Sequence, residues 1–255
     1  MIKYGLKIWS NNIERFDEIV ERRRRGEFDF IEVYSNSDVE HNYEDLKKLK
    51  DVPVLGIHIG NLNSAGFHSF YLTEKQIKPW QMTIDLADFF DAPRIIVHPA
   101  VEHTEETFWE NLEKINDDRI IIESMPAISP LGGGVRRFGV SFEDLKKIRA
   151  KKEICLDIIK FIKACAYHKV DYKDYIEKAL DELKPVYFHI SGGDYDSPID
   201  QHDNIWDGNC DWKWIRETLE EYSKEKDIYL VFETPKVGED LNNDIKNINY
   251  FKTHI

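Results

Sequence analysis

Ile120-Ile121-Ile122-Glu123 is a short, wholly apolar run closed by a carboxylate, and its type recurs along the chain. A run this short and apolar reads as a strand buried on both faces of a parallel sheet, with its last residue at the sheet edge. Two more runs end on an acid, Ile154-Cys155-Leu156-Asp157 and Tyr229-Leu230-Val231-Phe232-Glu233. Three end on a histidine: Val54-Leu55-Gly56-Ile57-His58, Ile95-Ile96-Val97-His98 and Val186-Tyr187-Phe188-His189. Buried strand ends rarely carry such residues, so the set carries more weight than any one member.

Working outward, apolar runs near residues 2–9, 28–34, 52–58, 94–98, 119–123, 153–157, 185–190 and 228–233 alternate with amphipathic segments. The segments with helical spacing cover 12–25, 43–49, 73–90, 104–115, 141–150, 172–183, 211–223 and 240–251. Ser141 with Asp144 three residues on forms a capping pattern ahead of Leu145 and Ile148. Strand–helix alternation repeated eight times predicts a closed parallel sheet, a single (β/α)8 barrel over residues 1–255. The rival, a doubly wound open sheet, usually sets a glycine-rich turn after its first strand, where this chain has Trp9-Ser10-Asn11-Asn12. The connections after runs three, five, six and seven read as long loops on the C-terminal face, where barrels build their active sites.

The 255 residues include 48 acids and 35 bases, a net charge of −13 that disfavours a nucleic-acid partner. The basic run Arg22-Arg23-Arg24-Arg25 precedes Gly26 and reads as a helix C-terminus, where cations complement the dipole. Three cysteines, Cys155, Cys165 and Cys210, give neither a disulfide framework nor a cysteine zinc site. No run is long and apolar enough to span a bilayer and the N-terminus does not read as a signal peptide, so a cytoplasmic protein is expected. Whether it forms a homo-oligomer is left open by the sequence.

On a barrel, His58, His98, Glu123, Asp157, His189 and Glu233 would share one rim. Mixed imidazole and carboxylate ligands suit zinc, manganese, cobalt or iron better than magnesium or calcium. One or two divalent ions are expected, with Glu123 placed to bridge. After the seventh strand, Asp200-Gln201-His202 spaces a carboxylate and an imidazole so that both can reach one ion.

With these residues in place, the chain resembles the xylose isomerase-like TIM-barrel superfamily, from Tyr4-Gly5-Leu6 to Val231-Phe232-Glu233-Thr234-Pro235. That superfamily joins sugar isomerases and epimerases with the endonuclease IV family. The resemblance to the epimerase branch implies one ion held by Glu123, Asp157, His189 and Glu233. The resemblance to the endonuclease branch implies further ligands at His58, His98, Asp200 and His202, and a histidine three residues after Asp157. That last position is Lys160, whose ammonium cannot donate a lone pair, which argues against a third zinc.

The function implied first is a metal-dependent isomerase or epimerase of a small sugar or sugar phosphate, acting by proton transfer through an enediolate. Glu123 and Glu233 are its expected catalytic residues. Lys160 is expected at the ring's edge as a substrate contact, Trp9 as a stacking face at the mouth, and Trp206 as a water-excluding side chain. Ser129-Pro130-Leu131-Gly132-Gly133-Gly134-Val135-Arg136-Arg137 reads as a substrate lid, with Arg136 or Arg137 closing on an anionic group. The rival functions are zinc-dependent hydrolysis of abasic DNA and a non-catalytic barrel that binds a metal or ligand.

Overall fold

A computed structural model describes residues 1–60, 74–101, 103–115, 117–129 and 134–253. Eight strands close into one barrel in sequence order: β1 (Ile2–Trp9), β2 (Phe30–Tyr34), β3 (Val54–His58), β4 (Ile95–Val97), β5 (Ile120–Glu123), β6 (Glu153–Asp157), β7 (Tyr187–Ile190) and β8 (Ile228–Phe232). Every neighbouring pair is parallel, and β8 closes on β1 with Ile2 opposite Ile228. Flanking helices are α1 (Phe16–Arg24), α2 (Tyr43–Leu46), α3 (Glu74–Phe90), α4 (Glu105–Glu113), α5 (Phe142–Arg149), α6 (Ile158–His168), α7 (Tyr172–Glu182), α8 (Trp212–Tyr222) and α9 (Asn242–Thr253). The expected (β/α)8 barrel is the fold, and the rival open sheet is excluded.

The two-residue period of each strand sorts its side chains into two cores. Ile95, Val97, Ile120, Ile122, Leu156, Phe188 and Leu230 join the large outer cluster against the helices. Phe30, Ile96, Ile121, Cys155, Tyr187 and Val231 form a separate cluster that fills the barrel interior. The same inward phase continues along each strand to Glu123, Asp157 and His189. Alternation therefore carries the interior packing directly into the polar mouth.

Several local signals hold. Gly26, at φ +75°, closes α1 behind its arginines, and Arg22 pairs with Glu18 and Glu27. Ser141 and Asp144 form the reciprocal cap of α5. The chain after β6 differs from expectation: α6 starts at once, with Asp157 serving as both the last strand residue and the helix N-cap. The reason is that Ile158, Ile159, Phe161, Ile162, Ala164 and Cys165 are all buried, as are Lys160 and Lys163, so α6 lacks the polar face that marks a helix in sequence. No described helix is long and apolar enough to cross a membrane.

Gly5 illustrates how tightly the interior is filled, since a Cβ there would lie 2.4 Å from the Phe30 ring. Gly5→Ala is expected to lower stability by about 1–3 kcal/mol through overpacking, seen as a lower Tm with an unchanged far-ultraviolet spectrum. A wild-type melting curve would contradict the filled interior.

Candidate metal centre at the barrel mouth

The centre is built by strand ends and by one helix cap. Asp157 accepts the Lys160 backbone N–H at its Oδ1 (3.0 Å), the ordinary N-cap bond. That bond leaves Asp157 Oδ2 buried and facing the mouth, in an ion pair with the Lys160 ammonium at 3.1 Å. Ser124, just past β5, ties the two strands together: its hydroxyl accepts the Asp157 N–H (3.0 Å). Gly192 lets the loop after β7 return over the rim, because a Cβ there would lie 1.8 Å from the Asn204 carbonyl oxygen. This loop carries Asp200 and His202.

Glu123, Asp157, His189 and Glu233 converge so that one ligand atom from each lies within 4.8 Å of the others. His189 Nδ1 is 2.8 Å from Glu233 Oε1 and 3.4 Å from Glu123 Oε1. His58 and His98 stand on the other side of Glu123, with their Nε2 atoms 3.1 and 3.9 Å from its Oε2. His202 Nε2 is 3.3 Å from Asp200 Oδ2, and its Nδ1 is 3.6 Å from Glu233 Oε2. The eight residues expected as metal ligands are thus gathered at one mouth.

Lys160 is the departure from expectation. It is buried in the first turn of α6, and its ammonium enters the ring instead of standing at the edge. It bonds Glu123 and lies 3.1 Å from Asp157 Oδ2 and 3.6 Å from Glu233 Oε2. Two further charged residues complete the set, both missed because they stand mid-strand and not at strand ends. Lys7 bonds Glu233 and lies 3.3 Å from Glu32 Oε1. Glu32 is fully buried and accepts from Tyr187 Oη (3.0 Å) and from His189 Nε2 (2.8 Å). The signal was present: Gly5-Leu6-Lys7-Ile8-Trp9 and Phe30-Ile31-Glu32-Val33-Tyr34 each place one charge at an inward position of an apolar strand.

These charges set one another's protonation. Burial alone would raise Glu32, but the His189 and Lys7 charges outweigh it and hold the carboxyl at about 2. Burial likewise opposes the Glu123 and Glu233 charges, yet neighbouring cations hold both well below the usual carboxylate range; Lys160 and His189 act on Glu123, and His189, Lys7 and Lys160 on Glu233. Burial pushes Asp157 up to about 6, opposed by Lys160 and reinforced by Glu123 and Glu233. Lys160 stays protonated despite burial because Asp157, Glu123 and Glu233 surround it. Against the effect of burial, Cys155, Glu233, Glu32 and Glu123 raise His189 well above its usual value, so a proton and a cation compete for Nδ1. Burial holds His98 neutral, whereas Asp200 lifts His202 to about 9 against the effect of burial.

The donor set fits a divalent cation. Asp157 Oδ2 and His189 Nδ1 are buried and turned into the ring, where their neighbours are the Lys160 ammonium at 3.1 Å and Glu233 Oε1 at 2.8 Å, positions from which both could also ligate a cation. Glu32, Glu123, Asp157, Glu233 and Asp200 outnumber Lys7 and Lys160 at the mouth, an acidic excess that suits a cation.

The remaining expectations divide. Trp9 does stand at the mouth, exposed, with its ring 5.7 Å from Tyr34, which in turn lies 5.6 Å from His58. Trp206 packs on Tyr250 and under the Lys246 ammonium, joined to α9 and not to the ring. Arg136 is buried and donates to the Pro99 carbonyl (2.8 Å), so it braces the loop after β4 rather than waiting on a lid. Arg137 is exposed, and residues 130–133 of the expected lid lie outside the described residues.

Residues 21–253 match the family model described as xylose isomerase-like TIM barrel, and the chain belongs to that family. Among curated proteins it is 25% identical over 229 residues to "Probable endonuclease 4" of Staphylococcus saprophyticus subsp. saprophyticus, covering 81% of this chain and 74% of that one. The fold is similar to a D-tagatose 3-epimerase-like protein, with TM-score 0.67, 18% identity, and 98% of this chain and 96% of the other covered. It is also similar to endonuclease IV from Thermus thermophilus, with TM-score 0.63, 17% identity, and 98% and 97% covered.

Removing the Lys160 ammonium should leave three carboxylates close together and uncompensated. Lys160→Met is expected to cost about 3–5 kcal/mol in chelator-treated protein, the usual penalty for breaking a buried ion pair. Manganese should restore more of the Tm in this variant than it adds to the wild type. Equal Tm values for the two proteins in chelator would refute the proposed charge balance.

Proposed function

We propose that the chain is a metal-dependent isomerase or epimerase of a small polyhydroxy carbonyl compound, with a single divalent ion. The observation that carries this reading is Lys160 inside the ring of Glu123, Asp157, His189 and Glu233. Those four residues would hold the ion, zinc or manganese by their donor chemistry. When bound, it would supply Lewis-acid stabilisation of the negative charge that develops on an enediolate.

The chain's own residues do the rest. Glu123 and Glu233, held ionised by Lys160 and Lys7, are placed to take a proton from one face of a substrate carbon and return it. The Lys160 ammonium offers hydrogen bonds to a substrate oxygen and adds fixed positive charge where the oxyanion forms. Trp9 at the mouth offers a flat apolar face to a sugar ring.

The second reading is phosphodiester hydrolysis. It is favoured by the His58, His98 and Glu123 grouping and by the Asp200–His202 pair. The likeness to the probable endonuclease 4 is consistent with it. Against it stand the lysine at a position where that branch uses a ligand histidine and the net charge of −13.

Incubating manganese-loaded protein with ketoses and aldoses in deuterated water should give incorporation of deuterium at the carbon beside the carbonyl. Glu123→Gln and Glu233→Gln should each reduce this exchange by about 10²–10⁴-fold while remaining folded. Exchange that survives in both variants would remove the mechanism. Nicking of abasic duplex DNA without sugar exchange would select the hydrolase.

A further inference from the structure

Beneath the ring lies a second charged layer, where Glu32 offers an oxygen within 4.8 Å of ligand atoms of His58, His189 and Glu233. Glu32 is fully buried halfway along β2, a costly place for a carboxylate unless it has a function there. One of its oxygens, Oε2, receives both the Tyr187 hydroxyl (3.0 Å) and His189 Nε2 (2.8 Å). The other lies 3.3 Å from the Lys7 ammonium.

The consequence falls on His189. A neutral imidazole that donates Nε2–H to a carboxylate must present its lone pair at Nδ1. Nδ1 is the buried atom that faces Glu233 Oε1 (2.8 Å) and Glu123 Oε1 (3.4 Å). Were the Nε2 partner absent, the ring could carry its proton on Nδ1 and close a hydrogen bond to Glu233, which would remove it as a ligand.

We infer that Glu32 is a positioning residue for the metal centre: it fixes His189 in the Nε2–H form and orientation that aim Nδ1 into the ring, with Lys7 as its counter-charge. This rests on the metal-binding reading above. Tyr187 supports Glu32 from below, and Gly56 leaves room for its hydroxyl, since a Cβ there would lie 2.7 Å from it. Lys7 has a double attachment, to Glu32 and to Glu233, and therefore links the lower layer to a ring carboxylate.

The test compares wild type, Glu32→Gln, Tyr187→Phe and Lys7→Met, each first checked for cooperative melting. Cobalt is titrated into chelator-treated protein and followed by its visible absorption, and nitrogen-15 spectra of the zinc-loaded protein report which His189 nitrogen carries the proton. Glu32→Gln should weaken cobalt binding by about 10–100-fold, the usual effect of losing a carboxylate behind a ligand histidine, and Tyr187→Phe by less. Lys7→Met should bind no more weakly than wild type, because it frees Glu233 while leaving the Glu32–His189 bond in place. In wild type the His189 proton should sit on Nε2.

A folded Glu32→Gln with wild-type cobalt affinity overturns the inference and leaves the metal reading standing. A proton found on Nδ1 in zinc-loaded wild type also overturns it, whether or not Glu32→Gln folds. A wild-type protein that takes up no cobalt overturns both.

Discussion

The constraint on which this structure depends is electrostatic: Glu32, Glu123, Asp157 and Glu233 are all buried within one barrel mouth. Like charges at such separations in a low-dielectric space repel by several kcal/mol, so they persist only with cations among them. Lys160 and Lys7 supply two, each touching more than one carboxylate. The acidic excess that remains is what the proposed divalent ion would balance.

The fold and the site share the same residues. Asp157 ends β6, caps α6 and turns its second oxygen into the ring beside the Lys160 ammonium, so one side chain joins the fold to the site. The cap fixes Lys160 one turn along, beside that same carboxylate. A lysine at this place in the cap brings its ammonium into the centre, where a histidine would bring a further ligand. In the proposed function, that single exchange favours proton transfer with one ion over hydrolysis with several.

The barrel and most of the ring were legible in the sequence because period-two alternation and abrupt strand ends are local signals. His58, Glu123, Asp157 and His189 close or nearly close their strands, and His98 and Glu233 follow theirs directly. Glu32 and Lys7 were not legible as site residues from strand ends, although a lone charge at an inward position of an apolar strand would have marked them. The helix α6 was hidden because it is buried on nearly all sides. Arg136 and Trp206 carry the residue types of a substrate contact, but what they pack against depends on the loop after β4 and on α9, which no local pattern encodes.

The most direct test of this charge balance is anomalous diffraction from crystals soaked in manganese. One ion per chain, contacted by Glu123, Asp157, His189 and Glu233, is the predicted result. Two ions, or an ion-free ring with the Lys160 ammonium still against Glu123 at saturating manganese, would contradict it.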